Sequence, residues 1–142
     1  MPPRCAALLL AALLTTAAAQ AEVFEVMMLN RGAEGAMVYE PDHLRIAPGD
    51  SVRFLPTQAG HNAASIPSLL PAGAEAFKSK LNQPFEYTFS QPGLYGIQCI
   101  PHLAMGMVML VGAPTPAQLP DALPARAASR LAVQLQKLEA AQ

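Results

Sequence analysis

A short segment near the carboxyl end of the chain carries three kinds of metal-binding side chain. Cys99 and His102 are separated by two residues, Met105 and Met107 follow on the same stretch, and another histidine, His61, lies far upstream. One thiolate, two imidazoles and a weak axial thioether form the donor set of copper sites that transfer electrons. The pattern therefore predicts that Cys99, His102 and His61 bind one copper ion, which alternates between Cu(I) and Cu(II).

The residue pattern alone does not decide which thioether is axial. Met105, Met107 and Met109 alternate along the chain, and Gly106 gives the loop freedom to turn. Met107 is favoured as the axial ligand, because the residues between His102 and Met107 allow its thioether to reach the metal before a strand begins. Met109 lies in an apolar run, where methionine usually fills a core.

Two neighbours of these ligands are expected to tune the site. Pro101 restricts the backbone between Cys99 and His102, and it has no N–H to donate to the sulfur, so it should lower the reduction potential. Asn62 follows His61 directly. We expect the Asn62 amide to hold the Cys99 loop by a hydrogen bond to its backbone.

Other functions would use some of the same side chains. A Cys–His nucleophile pair normally comes from distant segments, whereas Cys99 and His102 share one loop and no oxyanion loop is evident. A structural zinc site prefers four strong nitrogen or sulfur ligands. An enzyme is disfavoured, because four protein ligands leave no open position for a substrate. A periplasmic copper-binding or copper-delivery protein remains the alternative to an electron carrier.

The elements that position these residues are predicted to be β-strands. From Val23 to about Val111, short β-rich runs are separated by Gly, Pro and Asn, which favours an all-β antiparallel sandwich or barrel. The last strand is expected to begin near Met107. Residues 66–82 form an irregular region, in which 72–80 are expected to include a turn of helix.

The carboxyl-terminal residues change character. Residues 113–116 are predicted to form a stiff link, and Leu131, Leu135 and Leu138 recur at helical spacing within 127–141. We expect a helix that packs on the sandwich. The chain from 22 to 142 is thus predicted to be one domain, with 113–142 as a helical extension.

The first residues are typical of a secretion signal. Arg4 precedes an apolar stretch from Cys5 to Leu14, and Ala19-Gln20-Ala21 fits a cleavage site. We predict that residues 1–21 are removed and that the protein is periplasmic, soluble and without a membrane anchor. Cleavage would leave Cys99 without a disulfide partner, a situation that metal binding explains. The net charge of −1 argues against nucleic acid as a partner.

Over essentially all of the predicted mature chain, the sequence resembles the cupredoxin family, and within it the pseudoazurin group. The resemblance rests on the Cys-x-x-His-x-x-x-x-Met loop, the carboxyl-terminal extension and the segments 28–38, 47–50, 60–62 and 73–80. It implies an eight-stranded Greek-key β-sandwich with a carboxyl-terminal α-helix. It also implies a type 1 copper centre, with ligands His61, Cys99, His102 and axial Met107. Met37 would lie beside the His102 imidazole, and Asn62 would bond across the ligand loops.

The resemblance also implies a function and a way of docking. Family members carry one electron in the periplasm, to copper- or haem-containing nitrite reductase and to nitrous oxide reductase in denitrification. A monomer is expected here, because it suits a diffusing carrier. They dock transiently, through an apolar patch around the second histidine that is ringed by lysines. Here the patch would consist of Met37, Pro101, Leu103, Ala104 and Met105, and the positive rim of Arg31, Lys78 and Lys80. Ala59 and Gln98 are neutral where relatives often carry lysine, so steering should be weaker.

Overall fold

The computed structural model describes residues 1, 19–114 and 119–141. The predicted signal peptide lies outside these residues from position 2 to 18, as does the second half of the predicted link at 113–116. Among the described residues, no helix is long and apolar enough to cross a membrane.

The described chain forms two four-stranded sheets, which pack face to face around a common core. The first sheet has the order β2-β1-β4-β6 and the second the order β3-β8-β7-β5. The strands are β1 (Val23–Gly32), β2 (Gly35–Glu40), β3 (His43–Leu44), β4 (Ser51–Leu55), β5 (Ala64–Ser65), β6 (Phe85–Thr88), β7 (Leu94–Gln98) and β8 (Val108–Gly112). The predicted sandwich is confirmed, with two sheets and no closed barrel.

The pairing of the strands is mixed. β1 runs parallel to β4, and β3 runs parallel to β8, whereas the other pairs are antiparallel. The expectation of an antiparallel sandwich is corrected in these two places. Alternation of apolar and polar residues shows which face a side chain occupies, but it carries no information on the direction of the neighbouring strand.

Strand β8 is apolar on both faces, because each face meets a different layer. Met109 and Val111 belong to the core between the sheets, together with the aromatic side chains of Phe54 and Tyr95. Val108 and Leu110 belong to a second cluster on the outer face. This outer face is covered by the α-helix α1 (Ala125–Ala140), which contributes Ala127, Leu131 and Leu138 to that cluster.

The predicted carboxyl-terminal helix is present, and it begins at Ala125 rather than at 127. The turn of helix expected within 72–80 is absent, because that segment bonds to β5 as extended chain. The Phe77 N–H donates to Ser65 Oγ over 2.9 Å, and the Ser65 N–H donates to the Phe77 carbonyl over 2.9 Å. The Ala, Glu and Lys residues of this segment favour a helix, but these distant partners decide the outcome.

Candidate metal centre

Two separate segments at one end of the second sheet bring the predicted ligands together. His61 lies between β4 and β5, and Cys99 directly follows β7. His102 lies within a short 3-10 helix, Ile100–Met105, and Met107 directly precedes β8. The ligand-bearing segments are therefore anchored to strands on each side.

The donor atoms of His61, Cys99 and His102 converge. The two Nδ1 atoms lie 3.1 Å apart, and Cys99 Sγ lies 3.8 Å from Nδ1 of His61 and 3.4 Å from Nδ1 of His102. Metal–nitrogen bonds of about 2.0–2.1 Å and metal–sulfur bonds of about 2.3 Å place such atoms roughly 3.3–3.8 Å apart. The three side chains are thus close to the geometry that one metal ion requires.

The neighbours of His61 select the ring nitrogen that faces the other donors. Nε2 of His61 lies 2.8 Å from Oδ1 of Asn30, which can only accept, so Nε2 carries the proton and the lone pair is on Nδ1. The Asn30 N–H in turn donates to Oε1 of Gln58 over 2.5 Å. Sequence reasoning missed Asn30, which lies on β1 and carries no local signal of contact with a histidine at position 61.

Burial favours the neutral form of His61. The side chain is fully buried, and burial lowers its pKa, with the nearby His102 lowering it further. A neutral imidazole is the form that binds a metal ion. The pKa of His61 is therefore shifted in the direction that keeps it ready to bind.

The Cys99 thiol is also fully buried, and burial raises its pKa. The backbone N–H groups of Asn62 and His102 oppose this effect, because hydrogen bonds to sulfur favour the thiolate. Metal binding would therefore release the thiol proton, and these two N–H groups would stabilise the thiolate that remains.

Backbone hydrogen bonds close the loop that carries Cys99, His102 and Met107. The Cys99 N–H donates to the Met107 carbonyl over 3.0 Å, and the Met107 N–H donates to the His102 carbonyl over 3.2 Å. Asn62 joins this loop to the His61 segment, since its Oδ1 accepts from the Ile100 N–H over 2.9 Å. Its Nδ2 donates to the Ser79 carbonyl over 3.2 Å. The hydrogen bond expected from Asn62 thus goes to the residue after Cys99.

The three candidate methionines differ in their surroundings. Met105 is 40% exposed, whereas Met107 and Met109 are fully buried. Met107 belongs to the same apolar cluster as Cys99. Met109 lies within β8 opposite Ile97, so it is a core residue, as predicted.

Met37 and Pro101 flank the centre in different ways. Met37 is half-buried, packs against the cluster that contains Cys99 and Met107, and has a left-handed backbone with φ of 52°. Pro101 lies at the start of the 3-10 helix and is exposed. Because proline has no N–H, residue 101 cannot donate to the Cys99 sulfur. The backbone hydrogen bond that this loop gives to the sulfur comes from His102.

The residues predicted to form a docking surface are mostly exposed. His102 and Leu103 are half-buried, and Ala104 and Met105 are exposed. Arg31, Lys78 and Lys80 are also exposed. An open groove beside the Cys99 loop is lined by Lys78, Lys80, Leu81, Ile100 and Pro101. Leu81 and Ile100 are exposed apolar residues that sequence reasoning missed.

The chain matches the description of one protein family over residues 26–113, namely the copper-binding proteins of the plastocyanin/azurin family. It is 52% identical over 102 residues to the pseudoazurin of Paracoccus pantotrophus, a match that covers 71% of this chain and 70% of that protein. It is 45% identical over 106 residues to the pseudoazurin of Methylorubrum extorquens, covering 75% of this chain and 72% of that one.

Solved structures agree with the sequence relatives. The pseudoazurin of Methylobacterium extorquens AM1 superposes with a TM-score of 0.69 at 37% identity, covering 80% of this chain and 99% of that chain. The pseudoazurin of Hyphomicrobium denitrificans superposes with a TM-score of 0.72 at 31% identity, covering 81% and 97%. The fold of this chain is thus similar to that of solved pseudoazurins.

Proposed function

The chain belongs to the pseudoazurins, within the copper-binding plastocyanin/azurin family, and on that premise we propose its ligands, its partners and its compartment. It is a type 1 copper electron carrier and not an enzyme. The proposed physiological role is to carry single electrons in the periplasm to a nitrite reductase or a nitrous oxide reductase during denitrification. The single observation that carries the proposal is the convergence of three donors at one end of the second sheet.

The proposed ligands are Nδ1 of His61, Sγ of Cys99, Nδ1 of His102 and the thioether of Met107. The first three are supported by their mutual distances and by the hydrogen bond that places the His61 proton on Nε2. Met107 is supported by its burial in the Cys99 cluster and by backbone bonds to Cys99 and His102. A bound copper ion would supply a one-electron couple.

What the chain contributes is rigidity. Asn30 orients the His61 ring, and Asn62 ties the two ligand-bearing segments to each other. Rearrangement of ligands at each electron transfer would add to the barrier, so donors that are already held in place favour fast transfer. This argues for a carrier over a copper-delivery protein, which would need an open and exchangeable site.

His102 is the proposed route for electrons. It is the one half-buried member of the proposed ligand set, whereas His61, Cys99 and Met107 are fully buried. Leu103, Ala104 and Met105 would surround its outer edge as the apolar docking patch. Arg31, Lys78 and Lys80 would form the positive rim that meets an acidic partner surface, and a patch this small suits a transient complex.

Three further features stay as predicted from the sequence. We propose that Pro101 and Met37 tune the centre, the former through its missing N–H and the latter as a neighbour of His102. The proposed secretion signal is residues 1–21. The proposed mature chain is a single monomeric domain from 22 to 142, with 113–142 as its helical extension.

The first test is the visible spectrum of the purified protein with Cu(II). We expect an intense thiolate-to-copper band that ascorbate bleaches and reoxidation restores, and that Cys99→Ser removes. A missing band would contradict Cys99 ligation.

Stopped-flow mixing of the reduced protein with a copper-containing nitrite reductase then tests the partner. Rapid loss of copper to an acceptor apoprotein, with slow electron transfer, would favour the delivery alternative.

The axial ligand is tested by comparing two methionines on the same loop. Met107→Gln should lower the reduction potential by about 60 mV or more, a tenfold change in the one-electron equilibrium, because a harder oxygen favours Cu(II). Met105→Gln is the matched control and should leave the potential unchanged, because Met105 points toward solvent. Equal potentials for Met107→Gln and the unmodified protein would show that Met107 is not a ligand.

A further inference from the structure

Helix α1 holds the backbone on both sides of Met107. Nη1 of Arg130 donates to the Gly106 carbonyl over 2.8 Å, and Nε2 of Gln134 donates to the Val108 carbonyl over 2.9 Å. Arg130 and Gln134 are four residues apart, so they lie on the same face of the helix. The carbonyl groups of the residues directly before and after Met107 are thus both bonded to α1.

The Arg130 guanidinium also holds the segment that contains Met37. Nη1 donates to the Met37 carbonyl over 2.7 Å, and Nη2 donates to the Ala36 carbonyl over 2.8 Å. Three carbonyl groups from two segments therefore converge on one side chain. Hydrogen bonds from a charged donor are stronger than neutral ones, and the planar guanidinium keeps their directions constant.

Two of these carbonyl groups belong to residues with a left-handed backbone. Gly106 has φ of 84°, and Met37 has φ of 52°. Such a conformation is unfavourable for methionine and persists only where the surroundings hold it. At Gly106 a side chain would also lie 3.2 Å from Cδ of Arg130 and 3.3 Å from Cβ of Arg126, so glycine lets the helix approach the loop.

We propose that Arg130, assisted by Gln134, is a positioning residue for Met107. By holding the carbonyl groups at 106 and 108, the helix sets where the Met107 side chain begins, and hence how closely its thioether approaches the other three donors. An axial thioether bond is long and weak, so the backbone rather than the bond decides its length. The inference rests on the proposed assignment of Met107 as the axial ligand.

The first experiment measures the reduction potential and visible spectrum of the copper-loaded full chain. Arg130→Met, which removes all three hydrogen bonds, should raise the potential by about 30 mV or more, a threefold change in the one-electron equilibrium. A thioether held less closely donates less to Cu(II). Arg130→Lys, which keeps the charge with fewer aligned donors, should give a smaller shift in the same direction.

The matched control is Leu138→Ala, at the far end of the same helix. Leu138 is fully buried in the outer-face cluster, so this variant weakens helix packing without removing a hydrogen bond to the carbonyl groups of 106 or 108, which come from Arg130 and Gln134. We expect a lower unfolding stability with an unchanged potential and spectrum. If Leu138→Ala shifts the potential as much as Arg130→Met, general loosening of the helix explains both results and the proposal is overturned.

A second readout needs no copper. In the copper-free protein, Arg130→Met should speed hydrogen exchange at the Met107 N–H by about tenfold or more, while amides between β1 and β4 exchange as before. Unchanged exchange together with an unchanged potential would overturn the proposal, and Arg130→Lys decides the question if Arg130→Met does not fold. An unchanged potential in Met107→Gln would instead overturn the ligand assignment. Hydrogen exchange would still test whether Arg130 holds the backbone around Met107.

Discussion

The two sheets of the sandwich differ in how many of their faces are buried. The first sheet has one face in the core and one in solvent, where Arg53 pairs with Glu25 and Glu86. In the second sheet, every residue of β8 is buried, because the core covers one face and α1 the other. The ligand-bearing loop begins and ends on strands of this second sheet. Strand β8, which follows the ligand-bearing loop, is therefore packed on both faces, close to where the donor atoms must keep their places.

The difference also explains what the carboxyl-terminal helix adds to a sandwich. It extends the buried region beyond the two-sheet core, and through Arg130 and Gln134 it reaches the residues on both sides of Met107. Within the described residues, no helix packs across the outer face of the first sheet, although Arg130 of α1 bonds to its edge strand β2. Substitutions that weaken the packing of α1 on the second sheet should thus lower the free energy of unfolding far more than substitutions on the solvent-exposed face of the first sheet.

The largest expected effect comes from removing helix packing. Leu131→Ala should lower the free energy of unfolding by about 2–5 kcal/mol, because Leu131 is fully buried and the methyl groups removed would leave a cavity. Val133→Ala is the control, since Val133 is exposed on the same helix and should change stability little. Denaturant unfolding measures both. Equal effects of the two variants would show that α1 does not stabilise the second sheet.

A smaller effect is expected where the two ligand-bearing segments meet. Asn62→Ala should cost about 1–3 kcal/mol, because it leaves the Ile100 N–H and the Ser79 carbonyl without their buried partner. It should also change the visible spectrum of the copper protein. The control is Gln98→Ala, which removes one half-buried bond to the Ser65 carbonyl. A smaller cost for Asn62→Ala than for Gln98→Ala would contradict the bridging role.

On the open face of the first sheet, the expected effect is smaller still. Arg53→Ala should change the free energy of unfolding by less than about 1 kcal/mol, because exposed ion pairs gain little in water. The remaining difference between the variant and the original protein should shrink further in high salt. A loss as large as that of Leu131→Ala would remove the contrast between the two sheets.

The smallest predicted effect concerns pH and Lys137 on α1. Burial lowers the pKa of Lys137, but the carboxylates of Asp42 and Glu34 raise it by more, so the net shift is upward. The stabilisation is therefore complete below the unfolded pKa of about 10.4 and is lost as the pH rises through the higher folded pKa. For a pair near the surface we expect about 0.5 kcal/mol or less.

The measurement is the pH dependence of unfolding for the protein and for Lys137→Met. The difference between the two curves isolates this lysine, since buried tyrosines such as Tyr95 also have raised pKa values. The difference should be constant at neutral pH and should disappear in strong alkali. A difference that grows as the pH rises would have the wrong sign for a lysine stabilised by carboxylates.

Several parts of this structure could be predicted because their signals are local. The Cys99–Met107 loop brings unlike donors within nine positions, and Leu131 and Leu138 recur at helical spacing, so the loop and α1 were both predictable. The prediction at 72–80 was wrong because Ser65, more than ten residues away, provides the hydrogen bonds that keep Phe77 extended. Strand direction was not predictable, since alternation is the same for parallel and antiparallel partners.

By itself the sequence determined the kinds of donor atom, the β-rich character of the chain and the helix that follows it, because composition and short-range spacing are sufficient for these. Only the tertiary structure decided which nitrogen of His61 faces Cys99, since this depends on Asn30, 31 positions away. It also decided that Arg130 holds the Met37 carbonyl across 93 positions. Hydrogen bonds between such distant residues form only after the sheets have packed, so no local sequence pattern predicts them.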